Sequence, residues 1–322
     1  MFHVKHPKSP TKLSTKLSTT TPPNLPLIDG VSPSRLYLEK LTPTPKSLFA
    51  FLCDKFPHVG ADVWRQRFMD GQVFDEWGRV LDLSSAYRHG MSVFYYRHVP
   101  DEVIVPFTHE IIFENDELLV VDKPHFLTTA PAGRYVKETL LSRLKDETGN
   151  ANLSPIHRLD KDTAGLLLIS KNPATRHAYQ QLFATEQIHK TYHAIAPYRP
   201  LDFPLTLSLH LARGEPFYTM QVVADKVPNT ATVIDVLDVQ GEWAKYELTP
   251  STGKLHQLRV HMAHLGIAIK NDPYYPSIKH RSDDDFSRPL QLLAKALTFN
   301  DPVTGEVLEF MSGRELGFPS SL

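Results

Sequence analysis

The chain has 322 residues, 41% of them apolar, which is enough for one to three buried cores. A net charge of −1, from 35 Lys+Arg against 36 Asp+Glu, gives no global pull toward a polyanion, so any basic surface has to be local. No apolar run approaches the roughly 18 residues that span a bilayer, and MFHVKHPKSP lacks the apolar core of a secretory signal. A cytoplasmic monomer without a membrane partner is expected.

In chain order, residues 1–28 carry Lys5, Lys8, Lys12 and Lys16 and no acid, within Ser/Thr/Pro-rich sequence that cannot bury enough apolar surface to order itself. With the proline-rich stretch 29–45, it reads as a flexible basic arm over 1–45. Residues 46–97 form a compact segment: SLFAFLCDKF and ADVWRQRFMDG as short helices, QVFDEWGRVL as strand–turn–strand, and YRHGMSVFYYR as an aromatic strand. The single cysteine, Cys53, lies in the first helix as a packing residue. Residues 98–108 read as a linker, with prolines near both ends.

From 109 to 322 the pattern is mixed. EIIFENDELLVVDKP is two strands about an Asn-Asp turn, and RYVKETLLSRLKDETGN is a helix with Val136, Leu140, Leu141 and Leu144 at helical spacing. GLLLIS is a buried strand, and PATRHAYQQLFATEQIHK is a helix opened by Pro173. TYHAIAP, YTMQVVAD, TATVIDVLDVQ and WAKYELTP are strands, KLHQLRVHMAHLG is a helix stopped by Gly266, and LLAKALTFNDP with EVLEF closes the chain as two more strands. Sequential strands outnumber helices, which predicts an α+β fold built on a mixed, largely antiparallel sheet.

Two stretches carry chemistry. In 157-HRLDKDTAGLLLIS-170 a carboxylate beside an arginine stands at the mouth of a buried strand. Asp160 and Asp162 are too close on one loop to flank a bond from opposite sides, so Asp160 is the single working carboxylate and Asp162 a turn or capping residue before Thr163. In 251-STGKLHQLRVHMAHLG-266 the earlier glycine of a phosphate loop is missing. What remains is an electropositive helix start with Lys254, Gln257 and Arg259 and no acid from 251 to 270. His256, His261 and His264 are spread around that helix, so they read as core or phosphate-facing residues, and no metal site is expected.

HRLDKDTAGLLLIS, then HKTYHAIA (189–196), then TGKLHQLRVHMAHLG (252–266), in this order, resemble the three motifs of the RluA-type pseudouridine synthases. The resemblance extends over roughly 109–310, from ELLVVDKP (117–124) to RPLQLLAKALTFNDPVTGEVLEF (288–310), and residues 46–97 look like a degenerate S4-type RNA-binding module. It implies an RNA-modifying isomerase with no cofactor, acting on rRNA before tRNA. The alternative is a non-catalytic RNA-binding protein that keeps the fold.

The same resemblance assigns roles to site residues: Asp160 as the catalytic carboxylate, Arg259 as its ion-pair partner, Tyr192 as the ring stacked under the target base, and Arg158 as a group that displaces the target nucleotide. Lys254 stands where arginine is usual, which keeps phosphate attraction but loses a bidentate fork. Ala164 for serine and Leu293 for histidine are further departures from the pattern.

Overall fold

The computed structural model describes residues 25–97 and 102–318; most of the basic arm expected over 1–28 lies outside them. The chain divides into two compact units, Pro33–Tyr96 in the first, and Leu27–Ser32 with the chain from Arg97 onward in the second.

The first unit contains β1 (Ser34–Tyr37), α1 (Leu48–Lys55), α2 (Ala61–Met69), β2 (Val73–Phe74) and β3 (Ser92–Tyr95). The strands form an antiparallel sheet in the order β1-β3-β2. Ser47 starts α1 by accepting the Ala50 amide at 3.1 Å. Both helices bury their apolar stripe (Leu48, Leu52, Trp64, Phe68) against Val73 and Val93 of the sheet. Residues 29–45 were expected to belong to the arm, but Ser34–Tyr37 pairs with β3, because the other edge of β3 is already taken by β2 and this edge was open.

The second unit runs through β4 (Glu110–Glu114), β5 (Leu118–Lys123), α3 (Leu140–Thr148), β6 (Ser154–Pro155), β7 (Ala164–Ser170), α4 (Arg176–Ala184), β8 (His189–Pro197), β9 (Leu205–Leu209), β10 (Leu211–Arg213), β11 (Met220–Val222), β12 (Thr230–Gln240), β13 (Trp243–Pro250), α5 (Gln257–His264), β14 (Leu292–Asn300) and β15 (Val307–Met311). Ten of these strands make one sheet with the path β4-β5-β7-β14-β8-β13-β12-β9, while β15 pairs with β14 and β6 with β7. Only the β7–β14 pairing is parallel, so the fold is α+β with a mixed, mostly antiparallel sheet.

Strand β7 is buried along its whole length, which is why it reads as an unbroken apolar run. Leu167 and Ile169 point into a core with Leu140 and Leu144 of α3, while Leu166 and Leu168 point into another with Tyr179 and Leu182 of α4. Strand β13 alternates buried and partly exposed positions, as a strand with one covered face should. Its buried residues, Tyr246 and Leu248 among them, meet Leu258 and Met262 of α5. At the β7–β14 crossing, Gly165 has φ of +110°, and a Cβ there would lie 2.2 Å from the Ala294 carbonyl oxygen. Only glycine fits.

Two expectations change here. The helix predicted from residue 134 begins only at Leu140, because the Glu102 carboxylate accepts the amides of Val136, Lys137 and Glu138 and holds them in a loop. Thr139 then caps α3. For the same reason residues 102–108 are not a free linker: Val105 is buried in the core beside α3, and residues 98–101 lie outside the described residues.

Candidate active site

A cleft of about 700 Å³ opens in the second unit, lined by Arg158, Asp160, Lys190, Tyr192, Lys254 and Arg259, among others. Asp160 lies four positions before β7, on a loop pinned at several points. The His157 ring accepts the Leu168 amide at Nε2 (3.1 Å) and stacks on Phe183 at 4.3 Å. Burial pushes its pKa down to about 3, so the ring is a neutral structural pin. Thr129 donates to the Leu159 carbonyl at 2.8 Å, and Lys123, at the end of β5, donates to the carbonyls of Pro124, Leu127 and Lys161 at 3.0, 2.8 and 3.2 Å. The loop closes with the Thr163 amide on the Asp160 carbonyl at 3.2 Å. The carboxylate is therefore placed by groups from three separate strands and loops.

Arg259 reaches it from the first turn of α5. Its Nη1 donates to Asp160 Oδ2 at 3.1 Å, while Nε and Nη2 form a fork on Asp272 at 2.8 and 2.7 Å. The Arg259 side chain is 1% exposed. Burial works against its charge, but Asp272 and then Asp160 outweigh that and hold the guanidinium protonated more firmly than usual. Burial likewise favours a neutral Asp160, yet the adjacent Arg259 wins and keeps the carboxyl below its ordinary range. Asp160 is ionised at neutral pH.

His256 lies on the other side of the same oxygen, its Nε2 3.6 Å from Asp160 Oδ2. Burial lowers its pKa to about 4, so its ring is neutral near pH 7 and Arg259 carries the electrostatic effect on Asp160. Its backbone is left-handed, with φ of 53°, a conformation uncommon outside glycine that histidine enters more readily than most residues. Tyr275 Oη accepts the Met220 amide at 2.8 Å and lies 2.9 Å from His256 Nδ1. A lone pair on Nε2 facing a carboxylate would be repelled, which assigns the proton to Nε2 and makes Nδ1 the acceptor of the Tyr275 hydroxyl.

The remaining sequence candidates fall as follows. Tyr192 lies on β8 between two cores, and burial, reinforced by Asp160, raises its hydroxyl pKa well beyond the ordinary value. Arg158 and Lys254 are exposed on the cleft wall. Gln257 does not face a phosphate: its side chain is buried, donating to Ala231 O and Thr232 Oγ1 and accepting from Thr252 and the Lys254 amide. Asp162 is more than a turn residue, since Arg281 donates to it at 2.6 Å. His261 is a core residue paired with Thr230 at 2.8 Å. Among the described residues no His/Cys/Asp/Glu group could hold a metal ion.

Sequence reasoning missed Asp272, His256 as a neighbour of Asp160, and Tyr275. Asp272 sits in NDPYYP, which reads as a turn, and nothing local marks its carboxylate as the anchor of an arginine 13 residues away. The left-handed backbone of His256 leaves no trace in the sequence.

Residues 117–264 match the family described as RNA pseudouridylate synthase. The chain is similar to a dual-specificity RNA pseudouridine synthase RluA of Vibrio parahaemolyticus, 32% identical over 212 residues, covering 60% of this chain and 78% of the relative. It is also similar to a mitochondrial tRNA pseudouridine(32) synthase of Saccharomyces cerevisiae, 29% identical over 238 residues, covering 71% of this chain and 50% of that protein. Among solved structures, the human RNA pseudouridylate synthase domain containing 1 shares the fold, with a TM-score of 0.53 at 23% identity over 64% of this chain and 84% of that one.

Proposed function

The chain belongs to the RNA pseudouridine synthase family and is an isomerase that converts uridine to pseudouridine in RNA; we propose that Asp160 performs the reaction and that its substrate is structured RNA, ribosomal before transfer RNA. The observation that carries the first part is the Arg259–Asp160 contact, a carboxylate kept ionised at the wall of a cleft by a buried, forked guanidinium. The isomerisation breaks the bond from uracil N1 to ribose C1′, turns the base and rejoins it through C5. Both routes open to a carboxylate at the ribose, attack at C1′ or removal of a ribose proton, need it ionised. Water has to stay away from the separated base, and one carboxylate suits that better than a water-activating pair.

The exposed cations Arg158 and Lys254 suit phosphate, with Arg158 next to Asp160 where a nucleotide leaving its stack would pass. Tyr192 provides the ring on which the uracil rests. The first unit fits an RNA-holding role of the S4 kind: Arg79 lies over Trp77 at 4.7 Å, with that indole 61% exposed. An extra folded unit of this sort suits a large folded RNA, which favours rRNA.

Asp160→Asn removes ionisation with little change of volume. The purified variant is expected to bind RNA as wild type does and to form no pseudouridine. Turnover above a few per cent of wild type would remove Asp160 from the reaction. Mapping pseudouridines in total RNA from a deletion strain separates rRNA from tRNA as the target.

A further inference from the structure

Beyond the cleft, β10 and β11 form a hairpin whose turn presents Phe217 with 80% of its surface exposed. An isolated phenylalanine in water needs no explanation, but this one ends a run of rings. Phe217 meets Tyr218 edge-on at 5.7 Å, Tyr218 meets Tyr274 at 5.4 Å, and Tyr274 meets His256 at 5.5 Å. The Arg259 guanidinium lies over Tyr274 at 4.9 Å, and that guanidinium holds Asp160.

The hairpin is anchored to the site along its two strands. Met220 donates its amide to Tyr275, and Leu211, Met220 and Val222 pack with Val260 of α5. Opposite Met220, at the last pair before the turn, Arg213 lines the cleft and donates to the Phe217 carbonyl at 3.1 Å, so the turn that carries the exposed ring is tied to a residue of the cleft wall. Three exposed cations, Arg213, Arg158 and Lys254, line the cleft against one exposed acid, Glu186, and Glu215 is the acid within the turn.

We propose that Phe217 and Tyr218 form a stacking platform for the unpaired nucleotide next to the target uridine. A uridine that enters the cleft leaves its neighbour with one bare face. An exposed planar ring beside a cationic rim restores that stack, and every base offers a π-face to it. The occupant is single-stranded RNA on charge grounds: three exposed cations of the cleft wall suit phosphate and outnumber the acids Glu186 and Glu215. The inference rests on the cleft being the uridine site.

The test uses full-length protein and a labelled RNA hairpin whose loop holds one uridine flanked by adenosines. Dissociation constants are measured by fluorescence anisotropy at fixed salt for wild type, Phe217→Ala, Phe217→Leu and Phe217→Trp. Because the side chain is exposed, the variants should fold, which matching thermal transitions check. Stacking predicts roughly tenfold weaker binding for both Ala and Leu, with Trp at least as tight as wild type. With an abasic site beside the uridine, wild type and Ala should bind alike.

Three results overturn the platform: wild-type affinity for Phe217→Ala, full rescue by Leu, or the same Ala loss with the abasic RNA. Failure of the deeper reading looks different, because then wild type itself binds neither hairpin nor converts its uridine.

Discussion

Asp272→Asn probes the support beneath the candidate catalytic carboxylate. Asp272 Oδ1 accepts Arg259 Nη2 at 2.7 Å and the amides of Tyr274 and Tyr275 at 2.8 and 3.1 Å, while Oδ2 accepts Arg259 Nε at 2.8 Å. Asparagine has the same shape and keeps one acceptor, so the two amides stay satisfied. Its NH2 group would then face the Arg259 Nε–H, donor against donor, and the fully buried guanidinium would keep only Asp160 as a charged partner. Breaking one side of a buried ion pair costs about 3–5 kcal/mol, and the retained oxygen places this variant near the lower end. For a unit of this size that lowers Tm by about 6–12 °C. The fork also fixes the guanidinium plane that aims Nη1 at Asp160, and an error of about 1 Å in such a group costs on the order of 10²-fold in turnover. Circular dichroism melting and single-turnover pseudouridine formation, read by adduct-blocked primer extension, measure the two effects. A variant melting within 2 °C of wild type (about 1 kcal/mol or less) with full turnover would refute the reasoning.

Gly165→Ala should yield little soluble protein, since its Cβ would sit 2.2 Å from the Ala294 carbonyl at the parallel crossing and φ of +110° excludes alanine as well; soluble expression at wild-type level would contradict that geometry. Acid should destabilise the fold before any carboxylate titrates. His157, His256 and His261 have pKa values lowered by burial to about 3, 4 and 4, from 6.5, so the unfolded chain binds more protons below pH 6.5 and stability falls as pH drops toward 4. At pH 5.5 the three together withdraw roughly 4 kcal/mol, and denaturant midpoints that stay flat from pH 7 to 5.5 would show that these rings are not buried neutral.

Much of the second unit was legible because its signals are local. The continuous run GLLLIS, the alternation in WAKYELTP and the helical spacing in KLHQLRVHMAHLG each specify a local conformation and the face it buries. Strands β9 and β10 escaped notice because they lie between prolines in short stretches, and pairing decides them: β9 is an edge strand completed by β12, and β10 exists through β11. The residue types of the site, an aspartate after Arg158, a tyrosine after Lys190-Thr191 and an arginine in HQLR, are contiguous patterns and so are visible in one dimension.

The sequence by itself determined the α+β class and the family resemblance and pointed to Asp160, Tyr192 and Arg259 as candidates, because each rests on neighbours in the chain. Tertiary structure alone decided what surrounds them. The Arg259–Asp160 contact joins residues 99 apart and Arg281–Asp162 joins residues 119 apart. The Asp272 fork, the Nε2–H tautomer of His256 and the rings leading out to Phe217 all depend on where α5, the 272–275 turn and the β10–β11 hairpin come together. Hydrogen bonds and burial act through space, and spacing along the chain carries no record of which buried charge will find which partner.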